Sequence, residues 1–332
     1  MQYIIDGHYD ILMDVAARRK KGERQVIRRR YYPAFQKGGV TGIVASIFVD
    51  SQYLPYGALS VAMEQISALH CEIEETPDLL MLCTSADDFL RAAETGKIGF
   101  LLSFEGAEPV SSCLLLHGFY AAGVRGLGLA WSRRNAAADG CDFSGSLKKG
   151  GLTEFGRELV KEAEDLHMIL DLSHLSDEGV EDVLSITSCP VIASHSNSRA
   201  VAGSNRNLTD CQMREIASRG GTVGLNGCSL LTAGPGVSPD QNGLTAHLDH
   251  MTEIMGEDHV AFGFDFCDSF FADDLSSSTD QMPERPFDIL SGAHENLPAF
   301  LDHLRQHGYT ESHLAKLAGE NWLHTFRHIL KH

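Results

Sequence analysis

Six side chains able to hold a divalent cation or move a proton stand at the ends of short apolar runs: His8, Asp10, Glu105, His174, His195 and Asp265. The first two close the run Ile4-Ile5-Asp6-Gly7-His8-Tyr9-Asp10. In a strand, residues i and i+2 point to the same face, so an imidazole and a carboxylate project together while Tyr9 turns away. One ring nitrogen and one carboxylate oxygen on adjacent rungs suit a first-row divalent metal such as zinc. Each residue also has a plainer use: Glu105 as a helix cap, His174 or His195 as a hydrogen-bonded core histidine, Asp265 as the start of a turn. Their joint recurrence at the same place in the pattern is what points to a shared site. The donors are too few for two separate closed sites, and a glutamate shared between two ions, together with a hydroxide, removes the shortage; Glu105 is placed for that part.

Such convergence needs a scaffold that gathers strand ends. Besides the first run, seven apolar stretches follow: Thr41–Val49, Ile98–Phe104, Val124–Trp131, Met168–His174, Pro190–His195, Gly221–Asn226 and His259–Asp265. Short runs rich in Val, Ile, Leu, Phe and Gly fit strands covered on both faces, as in a parallel sheet. Helical patterns lie between them. Thr153–His167 carries Phe155, Leu159, Ala163 and Leu166 at helical spacing, Thr209-Asp210-Cys211-Gln212 reads as a capping box, and Ser176 or Asp177 can cap the helix that follows. Ala58–Glu75, Ala86–Thr95, Leu244–Met255 and Ala293–His307 read as helices as well. Eight strands alternating with helices predict a (β/α)8 TIM barrel, whose chemistry sits at the C-terminal strand ends. An open doubly wound sheet is the alternative, but no G-x-G-x-x-G follows the first strand and no phosphate-binding G-x-x-x-x-G-K-[ST] occurs. A single domain is expected over 1–332, with C-terminal helices, about 293–330, packed on the barrel through Trp322, Leu323, Phe326 and Ile329. Two irregular stretches, Ser132–Gly151 and Asp273–Pro286, are expected on the active face as lids or walls.

The 332 residues carry a net charge of −18, which argues against nucleic acid or an anionic membrane as a partner. Eight cysteines stand singly, without C-x-x-C, and read as reduced thiols. Residue 1 leads straight into a strand and no apolar run reaches membrane-spanning length, so the expectation is a cytoplasmic protein with no leader and no membrane contact. Eight of the 27 basic residues fall between Arg18 and Arg30. This stretch is either a solvated face or a rim that attracts anionic substrates.

The segments DGHYDIL at 6–12, SFEGAE at 103–108, GLTEFGRELVKEAEDLHMILDLSHLSD at 151–177, PVIASHSNSRAV at 190–201, NRNLTD at 205–210 and FGFDF at 262–266 together resemble the membrane (renal) dipeptidase family of the amidohydrolase superfamily. The resemblance implies a TIM barrel of the metallo-dependent hydrolase type, a metallopeptidase that hydrolyses dipeptides, tolerates a D-residue on the C-terminal side and forms a homodimer. It implies two Zn2+, one on His8 and Asp10 and one on His174 and His195, bridged by Glu105 and a hydroxide. It makes Asp265 the acid/base and Arg206 the partner of the substrate's terminal carboxylate. A guanidinium can fork onto a carboxylate with two parallel hydrogen bonds, which favours substrates ending one residue past the scissile bond.

One departure stands out. Where well-studied relatives carry a substrate-contacting histidine after the fourth strand, this chain has Trp131, which neither accepts a hydrogen bond nor carries charge. Either the metals stabilise the oxyanion alone or Asn135 or Arg134 assists, so Trp131 and Asn135 are expected at the substrate. A second departure is Asp268, where many relatives have glycine. Two other readings compete. An amidohydrolase acting on a lactam, ester or other small amide typically uses His-x-His and a carboxylated lysine, unlike His8-x-Asp10 and Glu105. A non-catalytic metal-binding barrel would have little reason to keep all six residues.

Overall fold

The computed structural model describes residues 3–142, 150–271 and 287–331. Nine parallel strands run through it: β1 (Ile5–Tyr9), β2 (Gly42–Phe48), β3 (Leu80–Leu82), β4 (Ile98–Glu105), β5 (Val124–Gly128), β6 (Ile169–Asp171), β7 (Ile192–Ala193), β8 (Thr222–Leu225) and β9 (Val260–Phe262). Eight of them pair in the order β1-β2-β4-β5-β6-β7-β8-β9 and curl into a nearly closed barrel, with helices between successive strands. The expected (β/α)8 TIM barrel is thus the observed fold. The seam between β1 and β9 is stitched by Asp265 N–H donating to the His8 carbonyl at 3.3 Å and Phe264 N–H donating to Asp6 Oδ1 at 2.9 Å.

Seven of the eight barrel strands fall inside the apolar runs of the sequence and are shorter than them, while β4 runs one residue past its run, to Glu105. β6 ends at Asp171 and β7 at Ala193, before the histidines that follow them. His174 and Asp265 sit past their strands at φ 67° and 58°, a left-handed conformation that costs non-glycine residues energy and turns the chain at the barrel mouth. β3 was not anticipated. It pairs only with Ile98–Phe100 at the start of β4, leaving the same edge of β4 to β5 from Leu102 onward. Three residues at an edge are too few to show a period. The helices Ile11–Lys20 and Cys113–Ala121 were also unanticipated.

Alternation along β4 shows how the sequence sorts its faces. Phe100, Leu102 and Phe104 pack outward into the large core beneath the helices, while Leu101 faces the barrel interior. Ser103 and Glu105 follow Leu101 at two-residue steps, so the lining changes from apolar to ionisable on rising to the mouth. Helices expected from sequence close as written: Ser176 caps Asp177–Ile186 and Thr209 with Gln212 forms the capping box of Asp210–Ser218.

The lower interior is filled from outside the repeat. Trp322, in the helix Asn321–Ile329, is fully buried against Ile5, Val44, Leu101, Ile169, Ile192 and Ala261, and its indole N–H donates to the Phe262 carbonyl at 2.8 Å. A Cβ at Gly7 would overlap the Trp322 ring, which is why the strand carrying His8 needs glycine there. Trp322→Ala is expected to lower unfolding free energy by about 3–5 kcal/mol, read as a lower urea midpoint with an unchanged slope.

Much of the basic stretch is ion-paired. Arg19 pairs with Glu72 and Glu75, Lys20 with Glu64, and Arg28 with Asp78 at 3.3 Å, all on or just after the helix Ala58–Glu75. These paired residues form a helix-to-helix face, while Lys21, Arg29 and Arg30 are exposed. Residues 143–149 of the expected Ser132–Gly151 loop and all of Asp273–Pro286 lie outside the described residues. No helix among the described residues is long and apolar enough to cross a membrane.

Candidate metal centre

β1 delivers the first two donors. Its pairing with β2 slips between Asp6 and Tyr9, one extra residue on β1, and Tyr9 packs outward into the core while His8 faces the mouth. Asp10 directly precedes the helix Ile11–Lys20 but makes no side-chain cap bond. Its carboxylate instead accepts from Ser46 Oγ on β2, and Oδ1 stands 3.6 Å from His8 Nε2. The positive end of that helix lies beside it and favours the ionised form. Ser46 Oγ also lies 3.2 Å from Glu105 Oε2, across the register that sets Phe48 opposite Glu105.

Glu105 is the hub. Oε2 is 3.6 Å from His8 Nε2, while Oε1 is 2.9 Å from His174 Nε2 and 3.5 Å from His195 Nε2. The two imidazole nitrogens of His174 and His195 are themselves 2.9 Å apart. Two donor triads therefore share one glutamate, His8/Asp10/Glu105 and Glu105/His174/His195, with the ligand atoms of each within 4.8 Å of one another. His8, His195 and Asp265 form a third such group. The expected residues His8, Asp10, Glu105, His174, His195 and Asp265 all meet at one mouth.

The electrostatics mark the same space. Burial, then the charge of Asp10, pushes the Glu105 carboxyl up to about 8, with His8 pulling the other way. Burial drives His174 and His195 well below the ordinary imidazole value. Burial also pulls His8 down, but Glu105 and Asp10 overcome it and leave it well above the usual value. Burial lifts Asp265 to about 6, opposed by His8. Three carboxylates and three imidazoles crowded out of water are costly without a compensating cation. His8 Nε2 is buried and makes no hydrogen bond, since 3.6 Å contacts are too long for one. A buried ring nitrogen without a partner, aimed at carboxylates, fits a divalent ion held by nitrogen and oxygen.

Other expected residues are placed as follows. Arg206 is buried beside the mouth; Nη1 donates to Ser196 Oγ at 2.7 Å, Nη2 to the His195 carbonyl at 2.8 Å, and Nε has no partner among the described residues. The Trp131 ring lies 5.7 Å from that of His174 and 5.4 Å from that of Phe48. The Arg133 guanidinium sits 4.9 Å from the Trp131 ring, fixed by Glu108 Oε1 at 3.1 Å and the Val49 carbonyl at 2.7 Å. Asn135 turns inward to its own loop, donating to the Leu129 carbonyl and accepting from the Ala137 and Ala138 amides. Arg134 pairs with Asp139. Asp268 accepts from the Phe287 and Asp288 amides, a structural account for that departure from the family pattern.

Sequence reasoning missed Asn226. Directly after β8, it is fully buried and donates Nδ2–H to Asp265 Oδ2 at 3.0 Å. Its position at a strand end was the available signal. Ser132 Oγ lies 2.8 Å from His174 Nδ1 and Ser194 Oγ 2.7 Å from His195 Nδ1; both serines were missed for want of any signal in residue type.

A parallel barrel whose mouth gathers three histidines and three carboxylates defines a metal-dependent hydrolase. The membrane dipeptidase model, peptidase family M19, matches residues 1–331. A relative from Klebsiella pneumoniae, the uncharacterized protein in the pqqA 5′ region, is 33% identical over 83% of this chain and 98% of its own length. Dipeptidase verJ of Clonostachys rogersoniana is 31% identical over 66% of this chain and 55% of its own. Among solved structures, the metallopeptidase dipeptidase AC superposes with a TM-score of 0.85 at 30% identity, covering 99% of this chain and 98% of that one. A Rhodobacter sphaeroides metallopeptidase, liganded with a phosphinate mimic of the dipeptide L-Ala-D-Ala, superposes with a TM-score of 0.83 at 29% identity, covering 98% and 99%. The chain belongs to the membrane dipeptidase family, peptidase family M19, and is a metallo-dipeptidase that hydrolyses peptide bonds.

Proposed function

We propose that this dipeptidase works with two divalent cations, zinc in the first instance, held on either side of Glu105 by His8 with Asp10 and by His174 with His195. The sharing of Glu105 by two donor triads carries the reading. When bound, such ions supply a water acidified towards neutral pH and polarise the scissile carbonyl. Iron, cobalt or manganese would suit the same donors.

The chain's own groups supply the rest. Asn226 holds Asp265 Oδ2, so Oδ1, 4.0 Å from His8 Nε2, is the atom that takes a proton from water and returns it to the leaving amine. Arg206, anchored through both Nη atoms, presents its remaining N–H groups to the substrate's terminal carboxylate. Trp131, braced by Arg133, forms a rigid apolar wall beside His174. Asn135 and Arg134 hold the loop that carries it. The Rhodobacter sphaeroides protein binds a mimic of L-Ala-D-Ala, which supports dipeptides with a C-terminal D-residue as substrates here.

A panel of L,L and L,D dipeptides, offered to zinc-loaded protein beside cyclic amides, tests this. Cleavage of free dipeptides is expected; opening of a cyclic amide with the dipeptides untouched would overturn it. Arg206→Ala is expected to reduce kcat/KM on free dipeptides by about 100-fold, the loss of a charge-assisted hydrogen-bond pair, and on C-terminally amidated ones only a few-fold. Equal losses on both would remove Arg206 from carboxylate recognition.

A further inference from the structure

A metal-binding imidazole must keep its proton on the nitrogen that faces away from the ion, and something must hold that proton. Among the described residues, one hydroxyl lies against the away-facing nitrogens of histidines from both donor triads. Ser194 Oγ is 2.7 Å from His195 Nδ1 and 3.5 Å from His8 Nδ1. The two rings stack with centroids 3.6 Å apart, and both δ nitrogens face the Ser194 hydroxyl. On its other flank Ser194 Oγ donates to Asp171 Oδ2, and Asp171 Oδ1 accepts the Ser194 and Ser173 amides at 2.9 and 3.0 Å. The carboxylate is thereby fixed in place. All of these groups are buried.

The valence of a hydroxyl decides the rest. It has one proton to give and two lone pairs to receive with. Asp171 Oδ2, an acceptor when ionised, takes the proton, so both lone pairs are left for N–H donors. We infer that Ser194, polarised by Asp171, holds His8 and His195 together in the Nδ1–H form and leaves both Nε2 lone pairs for the cations. This makes Asp171 and Ser194 positioning residues common to the two triads, and it rests on the two-cation reading above. Ser173 Oγ, which accepts the His195 amide at 3.2 Å and lies 3.4 Å from Ser194 Oγ, is the rival for the second lone pair.

The test uses zinc titration against a chromophoric chelator, with long-range 15N–1H spectra of the histidine rings. In wild type, His8 and His195 are both expected to show a protonated Nδ1; an unprotonated Nδ1 on His8 would overturn the shared hub without any variant. Ser194→Ala is expected to raise the dissociation constants of both ions by about 10- to 100-fold. Asp171→Asn keeps the shape but turns an acceptor into a donor towards Ser194. The hydroxyl proton must then go to a ring nitrogen, so one histidine adopts the wrong tautomer, and the affinity loss at least matches that of Ser194→Ala. In Ser194→Ala a loss confined to one ion, or no loss, overturns the inference, as does an Asp171→Asn variant that binds both ions as tightly as wild type. A wild-type protein that binds a single ion would instead defeat the two-cation reading itself, so the two failures are told apart.

Discussion

Glu105→Gln is expected to reduce bound metal from two ions to one or fewer at micromolar zinc and to abolish most activity. The amide retains one oxygen acceptor but loses the charge, and its NH2 cannot ligate. Because Oε1 faces His174 and His195 while Oε2 faces His8, no rotation of the amide serves both sides. Losing one ion removes several kcal/mol of transition-state stabilisation, on the order of 10³-fold or more in kcat. The substitution also removes a buried carboxyl that burial and Asp10 push up to about 8, so the metal-free variant is expected to be no less stable than metal-free wild type. Elemental analysis together with thermal unfolding, each with and without chelator, checks both parts. Two tightly held ions in the variant would refute the bridge.

Asp265→Asn is expected to do the reverse: leave two ions bound and lower kcat by about 10²- to 10⁴-fold, the range for removing a general acid–base group. Asparagine preserves the contact with Asn226 through its carbonyl oxygen but cannot carry a proton. The sign of the pH effect follows from the same carboxyl. Burial lifts Asp265 to about 6 without cations, and adjacent cations favour its ionised form and pull it down. A base must be unprotonated to act, so activity falls as pH drops, with the acid limb at or below pH 6. In Asp265→Asn that limb disappears from the residual activity. Because Asp265 also lies with His8 and His195 in a possible donor group, loss of metal from the variant would make it a ligand instead.

The barrel and its mouth were legible because both depend on patterns one strand long. β4 alternates Phe100, Leu102, Phe104 against Leu101, Ser103, Glu105, and a strand that buries both faces still announces its end with the first ionisable residue. His8 and Asp10 were read correctly as sharing a side, although the bulge in β1 that helps place them leaves no trace in residue type. What escaped was set by contacts far apart in sequence. Asn226 meets Asp265 across 39 positions and Ser194 meets His8 across 186, and a serine or asparagine at a strand end looks like any turn residue. The basic stretch from Arg18 to Arg30 was ambiguous for the same reason, since its acidic partners lie mostly on the helix Ala58–Glu75. Asn135 illustrates the opposite error risk: polar and near the mouth, it is engaged by its own loop.

Anomalous diffraction from zinc-loaded crystals measures the central claim most directly. Two peaks roughly 3.5–4 Å apart are predicted, one beside His8 and Asp10 and the other beside His174 and His195, with one Glu105 oxygen facing each. A single peak under saturating zinc, or a Glu105 carboxylate facing neither, would contradict it.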